Sequence, residues 1–264
     1  MKKLFFLLAM ALGNILPAGP IEDRKISEDA YEELFAFFEI KENVVEETQK
    51  KWLRKQGKER WEIDDLPEEQ RTFVIEWAEK EGIFKSWIPS RSFYEKAFIL
   101  GASTPSLKTR IEFLKELWEG GTRFNEIIVL TGDRPLDPKI DEWTDICKTE
   151  TDAAHHAWEI TELPQEMRAL PVSFFNIPMR WENGIAKRPT TYDTIIGYAN
   201  KFPTPCSCLF ISNQPHCGYQ FAVIKHSLPQ EFPFDIAGKG TQQEHAPIIL
   251  DMLARWIYAN AIEK

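Results

Sequence analysis

Apolar residues in the first part of the chain recur with the spacing of amphipathic helices. Residues 20–92 contain three such stretches, and none of them alternates as a half-buried strand does. The first follows Ser27, a residue type favoured at helix N-caps, and the others begin near Val44 and Pro67. We interpret residues 20–92 as a helical extension that packs as a cover on the main domain.

From Lys96 onward, short apolar segments alternate with helical patterns. The predicted strands are residues 97–101, 126–131, 172–176, 208–212 and 232–236. Because these segments are apolar on both faces and separated by helices, they predict a parallel sheet covered on both sides. Right-handed crossovers then give a doubly wound α/β fold of about five strands in the order 3-2-1-4-5. We assign residues 93–264 to this Rossmann-like domain.

The N-terminus has the pattern of a secretory signal peptide. Two lysines precede the apolar run Leu4–Leu12, and small residues follow it before position 20. The run is too short to cross a bilayer but suits the apolar region of a signal, so residues 1–19 are predicted to be one. The mature protein would then be periplasmic or secreted, with no transmembrane span. The alternative is a buried first helix of a cytoplasmic protein.

The composition argues against two classes of ligand, nucleic acids and metal ions. The chain carries 32 basic and 41 acidic side chains, a formal net charge of −9, and such a surface repels nucleic-acid phosphates. The four cysteines form no CxxC pair and no cluster with histidine at the spacing of metal ligands. We therefore expect no nucleic-acid partner and no metal site.

Polar residues gather where the predicted strands end, which is where ligands bind in doubly wound sheets. The candidate ligand-binding residues are Ser103, Thr131, Gly132, Arg188, Thr190, Thr191, Asp193, Ser212, Asn213, Gln214 and Gln220. Together they predict a cleft for a small anionic ligand, phosphorylated or nucleotide-like, at the C-terminal edge of the sheet.

The most informative of these segments is the helix start at residues 188–194. Unpaired N–H groups at a helix start favour an anion, and the fork of Arg188 suits a phosphate or a carboxylate. The alternative is a capping box in which Thr190 caps the helix and Asp193 bonds back to it. That alternative explains Thr190 and Asp193 but does not explain Arg188.

His216 and Asp133 are the candidate catalytic residues. A histidine after a buried strand can exchange protons near neutral pH, and Asp133 can orient a ligand hydroxyl or hold a cation. The alternatives are a lone structural histidine and a simple turn at Asp133. No nucleophile elbow, dinucleotide fingerprint or phosphate loop occurs in the sequence, which disfavours a serine hydrolase.

Short motifs spread over residues 96–260 carry a resemblance to a known family. They are the strand end Ile99-Leu100-Gly101, Arg110, Thr131-Gly132, Glu150, the helix start 190–194 and the stretch 211–216. With these motifs the chain resembles the SanA/YdcF-like family, a bacterial domain of unknown function. The chain departs from the family at Gln220, where an arginine is usual, and at Asp133, where a small residue is usual.

The resemblance implies a Rossmann-like fold, a role in the bacterial cell envelope and S-adenosylmethionine as a cofactor. It also implies a link to polyprenyl-lipid or peptidoglycan metabolism. Three functions stay open at this point: a protein that binds a phosphorylated or nucleotide-like anion, a hydrolase or transferase acting on phosphorylated or lipid-linked envelope precursors, and a non-catalytic scaffold. In the scaffold, the N-terminal helices would bind another envelope protein.

Overall fold

The computed structural model describes residues 26–55, 62–182, 184–242 and 245–261, and a parallel sheet forms its centre. The predicted signal peptide lies outside these residues. The strands are β1 (Phe93–Leu100), β2 (Arg123–Gly132), β3 (Val172–Ile177), β4 (Arg180–Glu182), β5 (Ile185–Lys187), β6 (Cys208–Asn213) and β7 (Phe234–Lys239).

Helices occupy the segments between the strands and both ends of the described chain. They are α1 (Glu28–Phe37), α2 (Val44–Lys51), α3 (Glu68–Lys80), α4 (Thr104–Glu119), α5 (Glu150–Ile160), α6 (Gln165–Arg168), α7 (Thr191–Lys201), α8 (Cys217–Ser227) and α9 (Ala246–Ala261). Ser27 caps α1 as expected, because its hydroxyl accepts a hydrogen bond from Ala30 N at 3.1 Å. None of the described helices combines the length and the apolar character needed to cross a membrane.

Within the described residues, the sheet has five parallel strands in the order β3-β2-β1-β6-β7. Counted along the chain without the short strands β4 and β5, this is the predicted order 3-2-1-4-5. Strand β1 pairs with β2 and β6, so that Ile99 lies opposite Val129 on one side and Ile211 on the other. The direction of strand addition reverses between β1 and β6, so the doubly wound fold and its switch point are confirmed.

Alternation along each strand divides its apolar residues between two cores. In β1, Ala97 and Ile99 face the core formed with α4 and α5. Phe98 and Leu100 face the core formed with α7 and α8. The same division holds in β2 and β6, which explains why these strands are apolar on both faces.

The N-terminal helices and the last helix share a third apolar cluster. Trp77 of α3 is buried in it and donates its indole N–H to Ala30 O at 2.9 Å. The side chain of Gln49 bonds to Ala254 O at 2.7 Å and so joins α2 to α9. Helix α9 packs in turn on α8. The extension is therefore docked on the α8–α9 side of the sheet domain.

The hairpin of β4 and β5 was not expected from the sequence. Its strands are only three residues each, and Arg180 pairs with Lys187 across it. The turn contains Gly184 at φ +77°, a backbone conformation that glycine adopts without strain. Strands of three residues are too short for alternation of apolar and polar residues to be recognised in the sequence.

Candidate functional site

A cavity of about 420 Å³ opens at the C-terminal edge of the sheet, at the switch point. The ends of β1 and β2 form its floor, and the first residues of α4, α5, α7 and α8 surround it. Arg54 of the N-terminal extension and residues of α9 complete the wall. This is the location that the strand order predicts for a ligand.

The cavity wall is strongly basic although the whole chain is acidic. Among the described residues, five arginines line it: Arg54, Arg110, Arg134, Arg188 and Arg255. Three carboxylates contact these arginines, namely Glu150, Asp141 and Asp251. Among the described residues that line the cavity, arginine thus outnumbers carboxylate, in a chain of net charge −9.

Arg110 is buried at the floor of the cavity, with only 2% of its surface exposed. It lies on the otherwise apolar inner face of α4 and donates to three neutral oxygens. These are Leu100 O at 2.6 Å, Gly101 O at 2.9 Å and Asn213 Oδ1 at 2.9 Å. Because a buried guanidinium needs such acceptors, Arg110 joins the ends of β1 and β6 beneath the ligand space.

Arg134 forms a buried ion network just beyond the end of β2. Its Nε donates to Glu150 at 2.7 Å, and its two terminal nitrogens contact Asp141 at 2.7 and 3.1 Å. Burial raises the pKa of Asp141. Hydrogen bonds from Arg134 and from backbone N–H groups lower this pKa by more than burial raises it, so the net shift is downward. Asp141 also accepts a bond from Thr104 N at 3.0 Å and thereby fixes the start of α4.

Glu150 is the carboxylate that lines the cavity itself among the described residues. Burial raises its pKa above the ordinary value, although Arg134, the N–H of Gly132 and the charge of Arg188 all oppose that rise. Gly101 makes room for it, because a Cβ at that position would lie 2.2 Å from Glu150 Oε1. Glu150 is thus positioned to exchange a proton with a bound molecule.

The first turn of α8 brings His216, Gln220 and Ser212 together. The Ser212 hydroxyl donates a hydrogen bond to Gln220 Oε1. The N–H groups of the Gln220 side-chain amide are then the groups with which Gln220 can donate to a ligand. His216 is 8% exposed, and its Nδ1 lies 3.0 Å from the Sδ of Met252. Because a thioether only accepts, this contact favours a proton on Nδ1 and a basic lone pair on Nε2.

Asp251 holds the basic residues on the α9 side. It is fully buried and accepts hydrogen bonds from Arg255 at 3.0 and 3.2 Å and from Arg54 N at 3.1 Å. Burial raises the pKa of Asp251, but these bonds and charges outweigh it, so the pKa lies below the ordinary value. One aspartate therefore connects α9 to the N-terminal extension at the cavity wall.

Side chains at the start of α7 accept hydrogen bonds from backbone N–H groups there. Thr190 and Asp193 form the capping box that the sequence offered as an alternative, and Asp193 also pairs with Arg180. Burial raises the pKa of Asp193, but the bonds from Thr190 and Arg180 lower it more, so the net shift is downward. Arg188 nevertheless lines the cavity, as do Thr190 and Thr191.

The structure brings together most, but not all, of the residues predicted from the sequence. Those that line the cavity are Ser103, Gly132, Arg188, Thr190, Thr191, His216 and Gln220.

Four predicted residues lie behind the cavity wall. Thr131 contacts Thr151, Ser212 holds Gln220, Asn213 holds Arg110 and Gln214 bonds to Lys85 O.

Asp133 and Asp193 are not among the described residues that line the cavity. The backbone N–H of Asp133 donates to Ile177 O at 3.0 Å, at the edge of β3. Of the two candidate catalytic residues, His216 is therefore among the described residues that line the cavity and Asp133 is not. Asp193 instead caps α7, because its carboxylate accepts the bond from Thr190 N at 2.8 Å.

Several functional groups were not predicted as site residues, although some left a signal in the sequence. Arg110 shares the apolar face of α4 with Leu107 and Leu114. Asp251 and Arg255 are an i,i+4 pair in the very apolar α9. Charges in such positions are buried and need partners, which marks them as candidates. Arg54 left no such signal, because it lies in a stretch rich in charges.

The chain matches no protein-family model, no curated protein and no solved structure. The resemblance to the SanA/YdcF-like family therefore stays a prediction from short motifs. The geometry and charge of the cavity are the remaining basis for its function.

Proposed function

We propose that the cavity binds a phosphorylated or nucleotide-like small anion. The observation that carries this proposal is the excess of arginine over carboxylate in the wall of a cavity within an acidic chain. Guanidinium forks match phosphate oxygens, and a partly enclosed site strengthens each contact. The volume of about 420 Å³ is in the range of small-molecule sites.

The helix starts around the cavity add to this support. Neither Ser103, at the start of α4, nor His216, at the start of α8, caps its helix with a side-chain hydrogen bond. At the start of α4 the carboxylate of Asp141 accepts the N–H of Thr104, and both helix starts carry the positive end of a helix dipole. Together with the arginines, they favour a ligand of high negative charge.

The cofactor implied by the family resemblance does not fit this wall. S-adenosylmethionine has a carboxylate, which an arginine would bind, but also a sulfonium and an ammonium cation. An excess of arginine repels both cationic centres. We assign no role to this cofactor. A place in the bacterial cell envelope is likewise proposed only from the sequence of residues 1–19.

Thermal unfolding with added anions tests the binding function. Inorganic phosphate and adenosine monophosphate should raise the melting temperature of the purified protein, because a ligand of the folded state stabilises it by about 2.7 kcal/mol at a hundred times its Kd. Arg188→Gln should remove much of that rise. The matched control is Lys187→Gln, an exposed cation one residue away that is not among the cavity-lining residues.

Native mass spectrometry of the same preparations provides a second readout. A small anion that co-purifies with the wild type and is lost from Arg188→Gln, but retained by Lys187→Gln, supports the proposal. If the wild type shows neither a bound anion nor a rise in melting temperature with either probe, the binding function is wrong.

A second function, catalysis on the bound phosphate ester, is favoured by one observation. Glu150 and His216 line the same cavity, and burial keeps the pKa of Glu150 above its usual range. We propose that His216 takes a proton from a water molecule while the oxygen of that water attacks phosphorus. The bond from phosphorus to the leaving oxygen then breaks, and protonated Glu150 donates its proton to that oxygen. Glu150 thus replaces Asp133 as the second candidate catalytic residue.

Phosphate release from simple phosphate esters separates this function from binding alone. Glu150→Gln and His216→Gln should each lower turnover by about 10²–10⁴, the usual contribution of a general acid or base. Both should still be stabilised by the product phosphate. Glu159→Gln, an exposed change on the same helix, is the control. Full turnover in both variants would refute these roles, and no turnover by the wild type would leave the binding function.

A further inference from the structure

Two of the four cysteines lie together at the edge of the sheet opposite the cavity. Cys208 begins β6, and Cys206 precedes it by two residues. Their Sγ atoms are 3.7 Å apart, and the Cys208 thiol also donates to Cys206 O at 3.2 Å. A bond between the two sulfurs requires a separation of about 2.05 Å, so they would have to approach by about 1.7 Å. The pair is therefore already in contact.

The residue between the two cysteines is fixed against β1. Ser207 O accepts the backbone N–H groups of Glu95 at 3.0 Å and Lys96 at 3.1 Å, and Ser207 N donates to the Glu95 carboxylate at 2.7 Å. Cys208 itself lies opposite Lys96 in the pairing of β1 with β6. The hydrogen bonds of the fold thus hold the two thiols as neighbours.

The two thiols differ in exposure and in acidity. Cys206 is 8% exposed and follows the exposed segment 201–205, whereas Cys208 is fully buried. The contact between the two sulfurs lowers the pKa of Cys206 and, together with burial, raises that of Cys208. Because the thiolate is the nucleophile, Cys206 is the thiol placed to react with a molecule from solution. Cys208 is placed to react with Cys206.

A held cation adds to the acidity of Cys206. Lys96 Nζ lies 2.9 Å from Glu126 Oε2 and 3.1 Å from Tyr198 OH. Burial lowers the pKa of Lys96, but these two partners outweigh it, so Lys96 stays protonated at neutral pH. Its charge lowers the pKa of Cys206, and although burial and the carboxylates of Glu95 and Glu126 oppose this, the net shift is downward.

We propose that Cys206 and Cys208 form a dithiol site that exchanges with small-molecule disulfides and closes to an internal disulfide. The site lies at the starts of the strands, whereas the cavity lies at their ends. It therefore does not depend on the proposed binding function, and neither result decides the other.

The exchange has two steps, and both use the disulfide reagent R–S–S–R as the oxidant. The Cys206 thiolate attacks one sulfur of the reagent, the S–S bond of the reagent breaks, and the first R–S⁻ leaves and takes up a proton. Cys208 then loses its proton and attacks Cys206 Sγ, and the second R–S⁻ leaves and is protonated. The two cysteines lose two electrons and two protons, and the reagent takes up both.

Mass spectrometry of the folded protein after incubation with oxidised glutathione tests the site. We expect the wild type to lose two free thiols and the mass of two hydrogen atoms, and to retain no glutathione. Cys208→Ala should stop at the mixed disulfide and keep one glutathionyl group. Cys206→Ala should react at least about tenfold more slowly, because Cys208 is fully buried. The control Cys147→Ala, at another buried cysteine, should behave as the wild type.

The position of the bond decides the outcome. Tandem mass spectrometry of the tryptic peptide 202–225 separates a bond between Cys206 and Cys208 from one that involves Cys217. A bond to Cys147 or Cys217, or four free thiols in the incubated wild type, would overturn the proposal. Glutathione retained on wild-type Cys206 would refute the role of Cys208. Melting temperatures show whether the variants are folded, and the wild-type result stands without them.

Discussion

The inner wall and the rim of the cavity use the same residue type in two ways. At the inner wall, Arg110 and Arg134 are buried and bond to strand-end carbonyls, to Asn213 and to carboxylates. At the rim, Arg188 is exposed on the loop before α7. An inner arginine is therefore part of the fold as well as of the site, whereas the rim arginine can be replaced without loss of the core.

The difference follows from the cost of burying charge. Removing one partner of a buried ion pair leaves the other charge without compensation in a region of low polarity. An exposed charge remains solvated by water, so its removal changes stability little. The predictions below test whether the two regions differ in this way.

The largest expected effect is that of Arg134→Ala. This change leaves Glu150 and Asp141 buried without their guanidinium, so we expect a loss of about 3–5 kcal/mol of unfolding free energy. Urea unfolding measures it. Lys139→Ala, an exposed change in the same loop, should stay within about 0.5 kcal/mol of the wild type. A loss below about 1 kcal/mol for Arg134→Ala would show that the inner network is not structural.

Gly101→Ala should have the next largest effect. Its Cβ would lie 2.2 Å from Glu150 Oε1 and 2.7 Å from Leu130 O, so Glu150 must leave its position. We expect a loss of about 1–3 kcal/mol, as for other overpacked sites. Gly132→Ala is the matched control, because its Cβ would meet Pro189 at an ordinary 3.4 Å. Equal stability of the two variants would contradict the tight packing around Glu150.

The strands and their order could be predicted because strand burial leaves a direct mark in the sequence. Phe98 and Ile99 are both apolar since they face different cores, and that pattern occurs in parallel sheets. The edge that carries the site follows from the strand order alone. His216 and Arg188 were placed at this edge for the same reason.

Other site residues could not be predicted, because tertiary packing alone brings them to the cavity. Arg54 lies about forty residues before β1 and reaches the wall only through the docking of α2 on α9. Asp133 follows β2 as a site residue should, but the chain directs Arg134 rather than Asp133 into the ion network. Sequence position fixes the strand end, whereas the local path of the backbone decides which neighbour faces the ligand.

The pH dependence of the stability of Glu150→Gln, compared with that of the wild type, tests the inner wall. Burial raises the pKa of Glu150 in the folded protein above its ordinary value of 4.5, so the folded state holds this proton more tightly than the unfolded chain does. The contribution of Glu150 to the free energy of unfolding is largest below pH 4.5 and declines as the pH rises through the raised pKa. Wild-type stability minus that of Glu150→Gln should therefore fall with rising pH.

Urea unfolding between about pH 4.5 and pH 8 measures this difference. Glu159→Gln, on the exposed side of the same helix, should give a difference that does not change over that range. A difference for Glu150→Gln that rises with pH would mean that the ionised form is the one that the fold favours.

The smallest expected effect is the coupling between Arg54 and Arg188, and a pair of inner residues provides the comparison. Arg54 belongs to the N-terminal extension and Arg188 to the loop before α7, so we expect the effects of Arg54→Gln and Arg188→Gln without ligand to add within about 0.5 kcal/mol. Arg134 and Glu150 are in direct contact at 2.7 Å, so Arg134→Ala and Glu150→Gln should be coupled by about 0.5–3 kcal/mol. Unfolding free energies of the four single and two double variants give both values. Strong coupling between Arg54 and Arg188 without ligand would mean that they already belong to one network, and the division between wall and rim would not hold.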